Sequence, residues 1–374
     1  MIKILSTSKF FQGFDAFDSL GEYAKDFGKN FMVLSDPIFE MPDFPFLQQK
    51  KKNIEKSFAD NGLKLEFKTF KGEVTNKEID RVSKMMKEGG YDGLLALGGG
   101  KVVDTAKPVA LAAGVPLVVA PTVIATNAPC SSATVIYTED HNVDDVLFAP
   151  TGPSMVIVDT NVILNAPRVS LIAGMGDALP TFFEGRVNFE HGTKTIVGGD
   201  VSMIGMGLAE MCYQSLLENG ELALKAFDDK IMSPYFERIV QTNTYLSCMA
   251  FEATGLSCAH SIEDAINTIP EAQKVLHGYR VAYGTLCLIL LEDRPMEEFL
   301  ECQEFCAKVG LPITLAEQNV TENVEEKIRG ILSVALDDFD GCYNMPPNAN
   351  EETMYNAIMM ADKLGRDYLA THKS

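Results

Sequence analysis

Positive charge is scarce in this chain. Its 374 residues include 32 Lys and Arg against 52 Asp and Glu, a formal net charge of -20. So acidic a surface repels phosphate backbones and anionic lipid headgroups, so neither nucleic acid nor a membrane surface is an expected partner. Apolar runs long enough to span a bilayer are missing too, because Gly, Pro or a charge interrupts each of them. The opening residues, MIKILSTSKFFQGFDAF, lack the apolar core and small-residue cleavage site of a secretory signal. The expected location is therefore cytoplasmic. No CxxC pair occurs among the eight cysteines, Cys130, Cys212, Cys248, Cys258, Cys287, Cys302, Cys306 and Cys342. A chain this long does not need disulfides, and all eight are expected to be reduced and mostly structural. Cys302 and Cys306 read as two thiols on one helical face. Tryptophan is absent altogether, and the 17 Met are expected to fill irregular gaps in the core.

What is present is a globular composition, 46% hydrophobic and 22% charged, which excludes disorder. The length predicts two domains. In the first part, short apolar runs end at turn residues: 31–35 at Asp36-Pro37, 94–97 at three glycines, 117–120 at Pro121 and 155–158 at Asp159. Continuous runs of this kind suit strands buried on both faces of a parallel sheet. Helical patterns at 77–88 and 102–113 lie between them. The alternation predicts an open, doubly wound α/β domain over residues 1–162. From about residue 168 strand signals vanish, and 200–218, 235–253, 256–269, 279–292, 297–308 and 351–370 carry apolar residues at helical spacing. An all-helical domain is expected over 163–374, with a substrate cleft between the two domains.

The segment Gly98-Gly99-Gly100-Lys101-Val102-Val103-Asp104 carries the first chemical signal. A strand runs into three glycines and a helix begins at once, which lets backbone N–H groups approach an anion such as a pyrophosphate. A glycine-rich turn needed only for close packing explains the same residues equally well. The spacing matches neither GxGxxG nor the P-loop. A second loop, Pro121 to Ser131, places hydroxyls, an amide and two prolines at the end of the next strand, where ligands sit in α/β sheets.

Histidine is rare enough to weigh each of the five. His141, His191 and His372 lie in polar stretches and read as surface residues. His260 lies in a small-residue helix, GLSCAHSIEDAI, and His277 opens another apolar helix. With Asp177 of the segment AGMGDA they resemble a ligand set more than satisfied core residues. Two imidazoles and a carboxylate suit zinc with an open position, although iron accepts the same donors. Spacing alone does not show that the three converge.

The ordered motifs GGGKVVDTAK, PTVIATNAPCS, GMGDAL, FEATGLSCAHSI and LHGYRVAYG resemble those of the glycerol dehydrogenases, across nearly the whole chain. These enzymes belong to the metal-dependent, iron-containing alcohol dehydrogenase superfamily, together with dehydroquinate synthase. The resemblance implies an amino-terminal Rossmann-like NAD-binding domain and an all-α metal-binding domain, usually in a homo-oligomer. It implies that Asp177, His260 and His277 hold Zn²⁺. It also implies an NAD site built from Asp36, Gly98, Gly99, Gly100, Lys101, Asp104, Thr122, Thr126, Ser131 and Tyr137. Within that site Asp36 would bind the adenosine ribose, which favours NAD over NADP.

The departures are specific. Asn127 stands where glycerol dehydrogenases carry a polyol-binding Asp, and an amide lacks that charge. Ala125 and Ala133 replace larger cofactor-contact residues. The family's HAIHN becomes His260-Ser261-Ile262-Glu263-Asp264, so Glu263 replaces a second His. Thr181 stands where iron-type relatives place an extra His, which favours a three-ligand zinc site. The expected reaction is reversible hydride transfer between NAD and a hydroxyl of a small polyol or diol, giving its hydroxyketone. The metal would act as Lewis acid and Asn127 would orient a neighbouring hydroxyl. Two alternatives stand: a dehydroquinate-synthase-like cyclase, which needs more cations than Lys101, Lys107 and Arg280, and a non-catalytic NAD-binding subunit.

Overall fold

The computed structural model describes residues 1–139, 143–338 and 342–372; His141 lies outside them. The chain forms two compact units, one of Leu5–Pro167 and one of Arg168–Ser374 with Met1–Ile4. The first four residues join the helical unit because Ile2 bridges to Asp200, whose N–H donates to the Met1 carbonyl at 2.9 Å.

The first unit is built on a six-stranded sheet. Its strands are β1 (Phe10–Gly13), β2 (Asn30–Ser35), β3 (Lys64–Thr69), β4 (Gly93–Gly98), β5 (Leu117–Pro121) and β8 (Met155–Asp159), the last following a hairpin of β6 (Ala133–Tyr137) and β7 (Val143–Phe148). The sheet order is β1-β8-β5-β4-β2-β3, and every pairing in it is parallel. Helices α1 (Leu20–Ala24), α2 (Pro45–Asp60), α3 (Asn76–Gly89) and α4 (Gly100–Ala113) connect the strands, and α5 (Thr160–Leu164) follows β8. The four expected strands are the buried ones, whose runs read as continuous hydrophobic segments. The sequence reading lacks β1 and β3, the two edge strands, where half-exposed residues dilute the apolar signal. Asp36 consequently ends the second strand, not the first.

The direction in which successive strands are added reverses between β2 and β4. The chain leaves β2 toward β3, and leaves β4 toward β5 on the other side. In a doubly wound sheet this switch point is where a ligand enters, beyond the carboxyl ends of the strands. Asp36 and Gly98–Gly100 occupy those two ends.

The second unit contains α6 (Arg168–Ala178), α7 (Pro180–His191), α8 (Met203–Asp228), α9 (Pro234–Gln241), α10 (Ser247–Thr254), α11 (Cys258–Asn267), α12 (His277–Leu291), α13 (Met296–Val309), α14 (Val324–Ala335) and α15 (Glu351–Thr371). Its helical character matches the expectation, with three corrections. The 235–253 segment is α9 and α10 joined by a π turn at Thr242–Leu246. The 256–269 segment starts as a two-residue strand, Leu256–Ser257, paired in parallel with Tyr343–Asn344. The 200–218 helix runs on to Asp228. Helix α12, apolar on nearly every face, packs against α6, α11 and α15 at the centre of the unit.

Two close helix crossings bring the site residues together. A Cβ on Gly278 would lie 1.9 Å from the Ala173 carbonyl oxygen and 3.0 Å from the Asp177 nitrogen. Further along α12, a Cβ on Gly284 would lie 2.2 Å from the Ala259 carbonyl oxygen. Any side chain at either position would push α6 or α11 away. The small residues of these motifs thus serve geometry: they set His277 on Asp177 and draw α11, with His260, against the same helix.

Candidate active site

In the α/β unit the three glycines play different parts. A Cβ at Gly98 would meet Val102 Cγ2 at 2.6 Å and Asp36 Cβ at 3.2 Å, so glycine is needed there for packing. At Gly100 the nearest atom would be Thr126 Oγ1 at 3.9 Å, which leaves open space over the first turn of α4. Close packing therefore accounts for Gly98 but not for Gly100. The open position lies where a helix presents backbone N–H groups without intrahelical partners. Asp36 caps the short turn after β2, its Oδ1 accepting from Ile38 N at 3.0 Å. Its own N–H donates to the Leu97 carbonyl at 2.9 Å, so the carboxylate stands beside the glycine loop.

Around this point the structure gathers several expected residues and engages others elsewhere. Thr122 N donates to the Gly98 carbonyl at 3.1 Å, and Thr126 Oγ1 accepts from Ala128 N at 3.3 Å. Asn127 gives its carbonyl to Cys130 N at 3.1 Å. Lys101 Nζ lies 2.7 Å from Glu73 Oε2. Asp104 and Ser131 meet on Lys107, whose buried ammonium donates to Asp104 Oδ1 (3.0 Å), Ser131 Oγ (3.1 Å) and the Ala133 carbonyl (2.5 Å). Burial pushes the Asp104 carboxyl upward against the pull of Lys107. Tyr137 lies on the hairpin strand β6, its N–H on the Val74 carbonyl at 2.8 Å.

In the helical unit, ligand atoms of Asp177, His260 and His277 all lie within 4.8 Å of one another. His277 Nε2 is 3.1 Å from Asp177 Oδ1. The other imidazole nitrogens are taken. His260 Nδ1 lies 2.7 Å from Glu184 Oε2, and His277 Nδ1 lies 3.1 Å from Glu263 Oε2. The Thr181 hydroxyl, at the start of α7, donates to the Ala178 carbonyl at the end of α6, at 2.8 Å. The donor set, two Nε2 atoms and one carboxylate, suits a divalent first-row metal.

The electrostatics also call for a cation. Burial disfavours a charged imidazole, yet Glu184 outweighs it and raises the pKa of His260. At His277 burial is again overcome, by Glu263 and Asp177, and the pKa lies well above the usual histidine range. Glu263 is held down to about 2 despite burial, by His277 and then by Arg280. Asp264 is pushed up to about 6 by burial and by the charge of Glu263, and accepts from the Tyr343 hydroxyl at 2.6 Å.

Sequence reading missed Glu184 and undervalued Arg280. A lone Glu in the apolar stretch LPTFFEGRV is the signal that marks Glu184, since a buried carboxylate needs a partner. Of the surface histidines, His191 and His372 are exposed as expected.

A model of the family described as iron-containing alcohol dehydrogenase matches residues 7–160. Glycerol dehydrogenase of Escherichia coli O6:H1 is 40% identical, over 98% of this chain and 98% of that protein. Among solved structures, glycerol dehydrogenase of Schizosaccharomyces pombe superposes with a TM-score of 0.92 at 30% identity, covering 99% of this chain and 93% of that one. A probable glycerol dehydrogenase of Sinorhizobium meliloti gives 0.89 at 35% identity, covering 98% and 100%. The two-part architecture, a parallel α/β sheet followed by helices, is that of these structures.

Proposed function

We propose an activity from one premise: the chain belongs to the iron-containing alcohol dehydrogenase family, as a glycerol dehydrogenase-like member. It is an NAD-dependent, zinc-dependent oxidoreductase that interconverts a small polyol or diol and its hydroxyketone. The observation that carries this reading is the convergence of Asp177, His260 and His277, each imidazole with Nδ1 on a buried glutamate. Zinc is the metal assigned, because Thr181 offers its hydroxyl to a backbone carbonyl and no third histidine stands there as a fourth ligand. Bound there, zinc would supply Lewis acidity toward a substrate hydroxyl, and NAD would accept the hydride.

The chain's own residues bind and orient. Residues 1–162 are assigned to NAD and 163–374 to the metal. The first turn of α4, open over Gly100, would receive the pyrophosphate, with Gly98 and Gly99 letting the backbone come close. Asp36 would accept from the adenosine ribose. Thr122, Thr126, Ser131 and Tyr137 complete the assigned cofactor contacts, with Lys101 and Asp104. Lys101 would exchange Glu73 for phosphate, or draw it along. Asn127 would orient a neighbouring hydroxyl as a neutral hydrogen-bonding group. Eight free cysteines support a cytoplasmic setting, and no helix among the described residues is long and apolar enough to cross a membrane. A homo-oligomer is assigned from the family resemblance.

The cyclase alternative loses ground on the cations. Lys107 is buried on Asp104, Ser131 and Ala133, Arg280 on Glu263, and Lys101 pairs with Glu73. The deciding experiment is NADH formation by zinc-reconstituted protein on glycerol, 1,2-propanediol, 2,3-butanediol and simple alcohols, beside a chelated control. Chelator-sensitive turnover of a polyol or diol is the expected result. No turnover of any of them, with NAD and zinc both bound, would overturn the reading.

A further inference from the structure

The two metal-facing imidazoles are held by different means. Glu184, on α7, reaches the amino terminus of α11, where its Oε1 accepts the N–H groups of Ser257 (2.9 Å) and His260 (3.0 Å). Its Oε2 then takes His260 Nδ1 at 2.7 Å. The carboxylate thus caps the helix and grips the ring of the same residue. Glu263 belongs to α11 itself, one turn beyond His260, and crosses to α12 to meet His277 Nδ1 at 3.1 Å. Its other oxygen accepts from Arg280 Nε at 2.7 Å. Arg280 is anchored in turn on the carbonyls of Ala272, at 3.2 Å, and Val275. Glu184, Glu263 and Arg280 are buried, whereas the side chains of His260 and His277 are 13% and 40% exposed.

An imidazole free to turn about its ring bond presents either nitrogen, and a metal must first select one. A ring whose Nδ1 is held by a fixed carboxylate offers only Nε2, and is made a stronger donor by the negative charge behind it. A histidine at position 263, as in the family motif, would give a neutral partner. The glutamate gives a charged one, and a buried charge needs a counterion. Arg280 is that counterion.

We propose that Glu184 and Glu263 are positioning residues for the metal site, and that the Glu263–Arg280 pair aims His277. The proposal rests on the metal reading above. Its test measures metal affinity on folded protein, not turnover. Protein stripped with a chelator would be titrated with zinc against a chromophoric competitor, for the unaltered chain and for Glu184→Ala, Glu263→Ala, Glu263→Gln and Glu263→His. The metal-free unfolding midpoint would be recorded for each.

Loss of a partner behind a metal-bound histidine weakens affinity about 10–100-fold. That loss is expected for the two alanine variants, with a smaller one for Glu263→Gln, whose amide oxygen still accepts but carries no charge. Glu263→His should fall between Gln and the original residue. A purely structural role would instead lower the midpoint and leave the zinc affinity of the folded protein unchanged, which would overturn the proposal. Should Glu263→Ala fail to fold, Glu263→Gln decides alone, and affinity equal to the original would overturn the proposal. If the unaltered chain takes up no zinc, cobalt or iron, the metal reading itself fails first, and that outcome is seen before any variant is compared.

Discussion

Each unit of this protein buries a cluster of charges, and the two clusters are neutralised differently. In the α/β unit the Lys50 ammonium lies 2.9 Å from Asp159, with side chains only 4% and 0% exposed. Asp15, at the rim, adds a 2.5 Å contact. Asp159 also accepts N–H groups from Asp15, Phe17 and Asn161. Asp18 lies 3.3 Å from Lys50, and like Asp15 is about 40% exposed, so the buried pair Lys50–Asp159 balances itself and solvent serves the rest. At the candidate metal site of the helical unit three carboxylates are buried, Asp177, Glu184 and Glu263, at 5%, 1% and 2% exposure. Of the three, Glu263 is paired with a guanidinium, that of Arg280. Two imidazoles take up the remaining negative charge, by binding protons or by sharing a metal. A buried cluster that neutralises itself is scaffold; one that stays short of cations is a site.

Removing a member from each cluster should separate these two roles. His260→Ala deletes a ligand but leaves Glu184 bonded to the Ser257 backbone, so α11 keeps its cap. Bound zinc should disappear, and NAD-linked turnover should fall at least ~100-fold, the equivalent of about 3 kcal/mol in the barrier. Far-ultraviolet circular dichroism should stay unchanged. An active, metal-replete variant would remove His260 from the ligand set. Lys50→Met should do the reverse. It strands Asp159 in the interior and should cost about 3–5 kcal/mol of unfolding free energy, read in a denaturant titration, with zinc stoichiometry untouched.

The pH dependence of the Lys50 cluster follows from its shifts. Burial opposes it, but hydrogen bonds from Asn161 and Lys50 hold Asp15 below its usual 3.8, so its contribution is present above that pH and lost as pH falls. Burial opposes the charge on Lys50 too, yet Asp15 and Asp159 raise it above 10.5, so its contribution is complete below that pH and lost as pH climbs further. Lys50→Met should flatten both flanks of the stability profile. Unchanged flanks would show that the cluster contributes nothing to stability.

How far the sequence could be read differs between the units for the same reason. The central strands β2, β4, β5 and β8 are buried on both faces, so composition alone revealed them. The edge strands β1 and β3 and the β6–β7 hairpin mix polar and apolar residues and did not stand out. In the helical unit Asp177, His260 and His277 were picked out as rare residue types in apolar surroundings. Their convergence could not be read from spacing, because it depends on Gly278 and Gly284 bringing three helices into contact. The partners behind the ligands were hidden further still. Glu184 lies 76 positions from His260 in the chain, and nothing local links them. Glu263 was visible as a departure from a motif, but its meaning needed Arg280, 17 positions away.

The smallest expected effects concern the α/β unit's other contribution, which is backbone and not side chain. If the glycine loop is partly packing and partly binding surface, two alanine substitutions two residues apart should give different phenotypes. Gly98→Ala would place a methyl 2.6 Å from Val102 Cγ2, inside the core behind the loop. Overpacking of that kind costs about 1–3 kcal/mol of stability, and it should appear as a lower unfolding midpoint of the free protein. Gly100→Ala meets nothing closer than 3.9 Å, and at the start of a helix alanine is the better former. Its stability should hold or rise by up to about 1 kcal/mol. The methyl would instead occupy the space over the first turn of α4, and the dissociation constant for NAD should rise about tenfold, equivalent to about 1.4 kcal/mol. Calorimetry of NAD binding beside thermal unfolding reads both quantities on the same samples. Equal stability losses with equal NAD affinities would make the whole loop a packing device and move the anion site away from the β2–β4 switch point.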